Sequence, residues 1–155
     1  MLYVKDKNNL ASHNLWSGGE YTNTTSGLTL SAAQGIVSNE WATNHNASFK
    51  ITNTSDTSYI TLWNSMEYSL ENKSLQVSID QNITTSSFHL QIIQYDSNHQ
   101  SLKTVQVGAS SASQNPITLT DVTVEGVKYI SIRIVRYGND TILFLDNIII
   151  TETNP

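Results

Sequence analysis

KYISIRIVRYGNDTILFLDNIIIT, running from Lys128 to Thr151, is the stretch that decides the fold. Between Tyr129 and Tyr137 apolar and polar residues alternate, with Ile130, Ile132 and Ile134 on one side and Tyr129, Ser131, Arg133 and Tyr137 on the other. A period of two is the mark of a half-buried strand. Gly138-Asn139-Asp140 then supplies the residues that tight turns favour, so the spacing predicts a hairpin into a second strand from Ile142 to Thr151. That strand is apolar on both faces except at Asp146-Asn147. Burying a carboxylate without partners costs a few kcal/mol or more, so Asp146 must be answered by donors or a cation.

Outward from this stretch the same period recurs. Lys73 to Asp80 sets Leu75, Val77 and Ile79 against Ser74, Gln76, Ser78 and Asp80, and Phe88 to Tyr95 sets Phe88, Leu90 and Ile92 against His89, Gln91, Ile93 and Tyr95. Shorter strands are expected at Ser48 to Asn53, Tyr59 to Trp63, Leu102 to Val107 and Ile117 to Thr120, with weaker candidates at Leu2 to Val4, Leu28 to Leu30 and Ile36 to Trp41. No segment carries a 3.6-residue apolar period, and β-branched residues dominate the apolar clusters. Many short strands spaced by turns predict an all-β chain, a two-sheet antiparallel β-sandwich. Its 155 residues make a single domain, residues 1–12 being a loose N-terminal tail or an edge strand.

Composition narrows the functions. The chain has no cysteine, which removes disulfides, thiolate metal sites and thiol nucleophiles. Charged residues make up 14% against roughly 25% in an average soluble protein. With 8 Lys and Arg spread along the chain and a net charge of −5, no basic patch is offered to nucleic acid. Met1 to Leu10 has no apolar run and reads as neither signal peptide nor membrane anchor, so the chain is either intracellular or a piece of a longer exported protein. Asn-x-Ser/Thr sequons begin at Asn23, Asn46, Asn53, Asn72, Asn82 and Asn139. They suit an exported glycoprotein, but the stronger reading is that an Asn/Ser/Thr-rich composition produces them by chance.

SFKIT at Ser48 to Thr52, ENKSLQVSID with SFHLQIIQYDSNHQSL between Glu71 and Leu102, and VEGVKYISIRIV with TILFLDNIII between Val124 and Ile150 together resemble the jelly-roll carbohydrate-binding modules and their galactose-binding-like relatives. NNLASHNLW near the start is similar to their opening strand, without the usual Asn-x-x-Phe-Glu form. The resemblance implies a structural calcium with the Asp of the last strand, here Asp146, as one ligand and Glu20 as the nearest acidic candidate from the N-terminal segment. The alternative is that Asp146 accepts backbone N–H bonds or pairs with a cation.

If the isoleucine faces point to the core, Gln76, Ser78, His89, Gln91, Tyr129, Ser131 and Arg133 point out of the same sheet and share one surface wherever their strands are neighbours. Amides, an imidazole and a guanidinium offer the donors and acceptors that sugar hydroxyls require, and Tyr59, Trp63, Tyr95 and Tyr137 offer ring faces for a pyranose. Alternation places Trp63 opposite Ile60 and Leu62, as an exposed platform, whereas Trp16 and Trp41 are expected to fill or cover the core. The competing reading is an ordinary solvated sheet face. G-x-S-x-G, H-E-x-x-H, P-loop and G-x-G-x-x-G motifs are absent, and His13, His45, His89 and His99 lack metal-ligand spacing. The expected function is thus non-catalytic glycan binding within a larger exported or surface protein, extracellular or virion-associated, with carbohydrate and neighbouring domains as partners and no membrane insertion. The other expectation is a structural or adhesive domain of a cell-surface adhesin or phage tail protein that binds no sugar.

Overall fold

The computed structural model describes residues 7–15, 21–23, 35–43, 48–51, 59–65, 71–137 and 142–153. These form eleven strands and no helix: β1 (Lys7–Leu15), β2 (Tyr21–Asn23), β3 (Gly35–Ser38), β4 (Ser48–Ile51), β5 (Tyr59–Asn64), β6 (Ser74–Ile83), β7 (Ser87–Tyr95), β8 (Ser101–Ala109), β9 (Ile117–Val122), β10 (Tyr129–Tyr137) and β11 (Leu143–Thr153). All pair antiparallel, in two sheets. A four-stranded sheet runs β5-β10-β7-β8; a seven-stranded sheet runs β2-β1-β11-β4-β3, with β6 on the other flank of β11 and β9 beyond it. The architecture is the all-β, two-sheet antiparallel sandwich expected from the alternation. Leu2 to Val4 and Leu28 to Leu30 lie outside the described residues, whereas residues 7–12 belong to β1.

The final hairpin is a correction. β10 and β11 do not pair; they belong to different sheets and face each other across the core. Each carries a full apolar stripe, and two such stripes bury more against one another face to face than side by side. The connection after β6 crosses between sheets beside them, with Thr84 N–H donating to Ile142 O at 3.0 Å and Ile142 N–H to Thr85 Oγ1 at 3.1 Å. Ile130, Ile132 and Ile134 of β10 and Phe88, Leu90 and Ile92 of β7 thereby meet Leu75, Val77 and Ile79 of β6 and the apolar residues of β11 in one core. Arg136, opposite Phe88 in the ladder, also turns inward, and burial pushes its pKa below that of a free guanidinium.

β11 is a central strand of its sheet. β6 flanks it on one side, while β4 covers its first part and β1 its second on the other. Leu143 and Leu145 enter the core, and Phe144 turns the other way, against Trp41 and 5.5 Å below the Lys50 amine. At the branch between β4 and β1 the register slips over Asp146 to Ile149, with Asn147 at φ 50°, a conformation asparagine tolerates better than most residues. The slip changes phase, so that Ile148 and Ile150 follow Leu143 and Leu145 into the core.

Asp146, fully buried, sits in this gap and is answered by hydrogen bonds. Its Oδ2 accepts from Thr43 N–H (3.0 Å) and Thr43 Oγ1–H (3.2 Å), and its Oδ1 from Asn147 N–H (2.8 Å). Asp80, its cross-strand partner on β6, lies 2.5 Å from the same Thr43 hydroxyl.

Candidate functional site

The outer face of the four-stranded sheet can be read row by row, because directly opposed residues share a side of the sheet. One row is Tyr59, Val135, His89 and Gly108; the next is Thr61, Arg133, Gln91 and Gln106; the third is Asn64, Ser131, Ile93 and Thr104; Tyr129 and Tyr95 close the series. An open groove of about 530 Å³ runs over part of this face. β10 contributes Tyr129, Ser131 and Arg133 to it, β5 contributes Tyr59, Thr61 and Asn64, and Tyr95 and His99 lie across from them.

Arg133 is held in a fixed direction. Its Nε–H donates to Gln91 Oε1 at 2.8 Å, and Gln91 Nε2 donates to Gln106 Oε1 at 2.8 Å, a relay across three strands. Its guanidinium carbon lies 4.4 Å from the centre of the Tyr59 ring, within cation–π range. Tyr59 is 57% exposed, so the rest of its ring is open to solvent.

The far side of the groove is built by a turn. Asp96 Oδ1 accepts the N–H groups of Asn98 (2.8 Å) and Gln100 (2.9 Å), which lets His99 adopt φ 60° between them. The imidazole then stacks on Tyr129, with centroids 4.1 Å apart and planes 19° from parallel. Ser65 pins the β5 side, its Oγ accepting the Ile130 N–H at 2.7 Å. Ile93 in the third row is only 3% exposed although it lies outside the inter-sheet core, so its neighbours on this face cover it.

Of the residues expected from sequence, Tyr129 and Arg133 line the groove and Gln91 stands behind Arg133. His89 and Tyr137 share the face but lie in a separate edge-to-face pair, with centroids 4.9 Å apart. Gln76 does not share it: β6 belongs to the other sheet, so Gln76 is on the opposite side of the molecule. Trp63 is the larger correction. A register slip between Ile132 and Arg133 leaves Leu62 as an extra residue on β5, which pairs Trp63 with the buried Ile132 and turns it into the core at 4% exposure. Glu20 lies outside the described residues. Asn64, Ser65 and His99 were not expected. His99 had a signal in the sequence, since a short turn after Tyr95 must come up beside whatever strand pairs with Tyr95.

The Gly108 row makes a prediction at the other end of the face. A Cβ there would lie 3.0 Å from His89 Nε2 and 3.2 Å from its Cδ2. Gly108→Ala is therefore expected to push the imidazole off Tyr137, at a cost of about 1–2 kcal/mol. The check is the Tyr137 ring-proton shift by NMR; an unchanged shift would show that the imidazole does not rest over Gly108.

No protein-family model matches the sequence, and no curated protein matches it. Solved structures do. The CBM22-1 xylan-binding domain of Paenibacillus barcinonensis Xyn10C superposes with a TM-score of 0.66 at 15% identity, over 97% of this chain and 98% of that one. The enzymatically active domain of bacteriophage CBA120 tailspike protein 4 gives 0.62 at 11% identity, over 96% of this chain and 19% of that one. The CBM22-1–GH10 modules of Clostridium thermocellum xylanase 10B, complexed with xylohexaose, give 0.58 at 12% identity over 92% and 28%. The fold is the jelly roll of the carbohydrate-binding modules, as the strand motifs suggested. The chain matches an isolated module end to end and spans under a third of the two larger chains.

Proposed function

We propose that this chain is a non-catalytic carbohydrate-binding domain of a larger exported or surface protein, and that glycan lies in the groove between Tyr59 and Tyr129. The observation that carries this is Arg133, oriented by Gln91 beside the open ring of Tyr59, with Thr61, Asn64 and Ser131 around it. Rings give apolar contact to the C–H faces of a sugar, and the fixed polar groups set its orientation. Among the described residues none that lines the groove is a carboxylate, whereas glycoside hydrolysis commonly uses two. Xylan-type chains are the first ligands to try, because two modules of similar fold are described with xylan or xylohexaose.

The experiment is a screen of the purified domain against soluble and insoluble glycans, xylo-oligosaccharides first, followed by Tyr59→Ala and Arg133→Ala. Each substitution is expected to weaken binding about tenfold, the equivalent of roughly 1.4 kcal/mol, with the fold unchanged. Undiminished affinity in both would move the site off this groove. The second reading, a structural or adhesive domain, draws on the burial of Trp63, which leaves this face without a tryptophan among the described residues. A clean negative on folded protein across the panel would favour it.

The structural calcium is a further part of the proposal. Asp146 and Asp80, with the Thr43 hydroxyl between them, are the described groups that would hold it. Calcium takes six to eight oxygens. Binding would require the Thr43 hydroxyl to turn its proton away from both carboxylates. Under this reading a chelator lowers the melting temperature by several degrees; an unchanged melt assigns Asp146 to its hydrogen bonds alone.

A further inference from the structure

We propose that the groove selects glycans bearing a carboxylate, with a uronic acid unit seated end-on against the Arg133 guanidinium. This rests on the carbohydrate-binding reading above and names its ligand class. The chain has 13 acidic against 8 basic residues, yet among the described residues the groove is lined by one arginine and no acid. Among the described residues, the partners of Arg133 are the neutral amide oxygen of Gln91 and the face of Tyr59. Neither cancels its charge.

The donor count points the same way. A guanidinium carries five N–H donors in a planar fork. One, on Nε, is taken by Gln91, and the four on the terminal nitrogens have no acceptor among the described residues. With the Nε edge occupied, the end formed by the two Nη groups is left for a ligand. A sugar hydroxyl satisfies one of these donors at a time. A carboxylate offers two oxygens at the spacing of the fork, so two parallel N–H···O bonds form at once and the negative charge of the ligand meets the positive charge of the guanidinium. The nearest acid in the chain to His99, Asp96, spends one carboxylate oxygen on capping its own turn. Asn64 and Ser131 supply neutral donors and acceptors for the hydroxyls of the same or the next sugar.

The test compares a glucuronic-acid-substituted xylo-oligosaccharide with the same compound after carboxyl reduction, by calorimetry. Wild type is expected to bind the acidic form about tenfold or more tightly, with the difference shrinking as salt rises from 50 to 500 mM. Arg133→Gln is expected to erase the ratio between the two forms, its unchanged melting temperature showing that the fold persists. Equal affinity of wild type for both forms would overturn the proposal while leaving the carbohydrate-binding reading intact. Failure of both forms, and of neutral glycans, would overturn both. Preference for a sulfated glycan over the uronate would replace the carboxylate with a tetrahedral anion and overturn the proposal as stated.

Discussion

Trp63→Ala is expected to lower stability by about 3–5 kcal/mol, the usual cost of removing a buried aromatic, and the melting temperature by roughly 10 °C. It should do so without acting directly on glycan contact, because Trp63 pairs with Ile132 in the core rather than with the outward Arg133 row. Tyr59→Ala is the converse: its ring is mostly exposed, so it should weaken binding and change the melt little. Urea denaturation and calorimetric titration of the two variants separate the cases. The inward register of Trp63 fails if its alanine variant melts like wild type and loses glycan binding, for that is the behaviour of a surface platform. The slip at Leu62 would then not exist, and the face would have to be redrawn with Trp63 at its centre.

That slip marks where the sequence stops being legible. Within a strand, period two is reliable because each core-facing isoleucine fixes the phase of its neighbours: β6 and β10 alternate from end to end, and β7 does so up to Ile93, which is buried on the outward side. A bulge resets the phase and leaves little trace in composition. Leu62-Trp63 are both apolar, so nothing in the string shows that both turn inward. Asp146-Asn147 was the exception. A carboxylate in an apolar run has to be explained, and the residue sits where β11 changes phase and changes partner from β4 to β1. What the sequence could not supply is the partition of strands between sheets. Alternation says which residues share a face of one strand; it does not say that Gln76 and Gln91 end on opposite sides of the molecule, or that β10 and β11 face each other instead of pairing. The groove residues Asn64 and Ser65 depend on both the slip and the β5–β10 pairing, so they were beyond reach, while Tyr129 and Arg133 followed directly from phase.

Lys103→Met is expected to cost about 2–4 kcal/mol, more than a surface ion pair would suggest. Asp121 follows Ile117 and Leu119 on the inward side of β9, and Gln94 follows Leu90 and Ile92 on the inward side of β7, so a polar pair closes the core where the two sheets meet. Gln94 Nε2 donates to Asp121 Oδ2 at 2.6 Å, Gln94 Oε1 accepts the Val124 N–H at 2.8 Å, and Lys103 Nζ reaches Asp121 Oδ1 at 2.6 Å. The Lys103 side chain is 38% exposed and that of Asp121 only 4%, so the two halves of the pair are not equivalent. Removing the lysine strands a buried carboxylate with the Gln94 amide and the Val122 N–H as its donors. Removing the charge of the aspartate leaves an ammonium that can turn to water. Asp121→Asn should therefore cost less than Lys103→Met, and combining them should restore at least about 1 kcal/mol of what Lys103→Met alone loses. A urea-denaturation double-mutant cycle measures this. Strict additivity of the two substitutions would mean that Asp121 is held by its amide donors alone, and that the lysine contributes no more than an exposed surface charge.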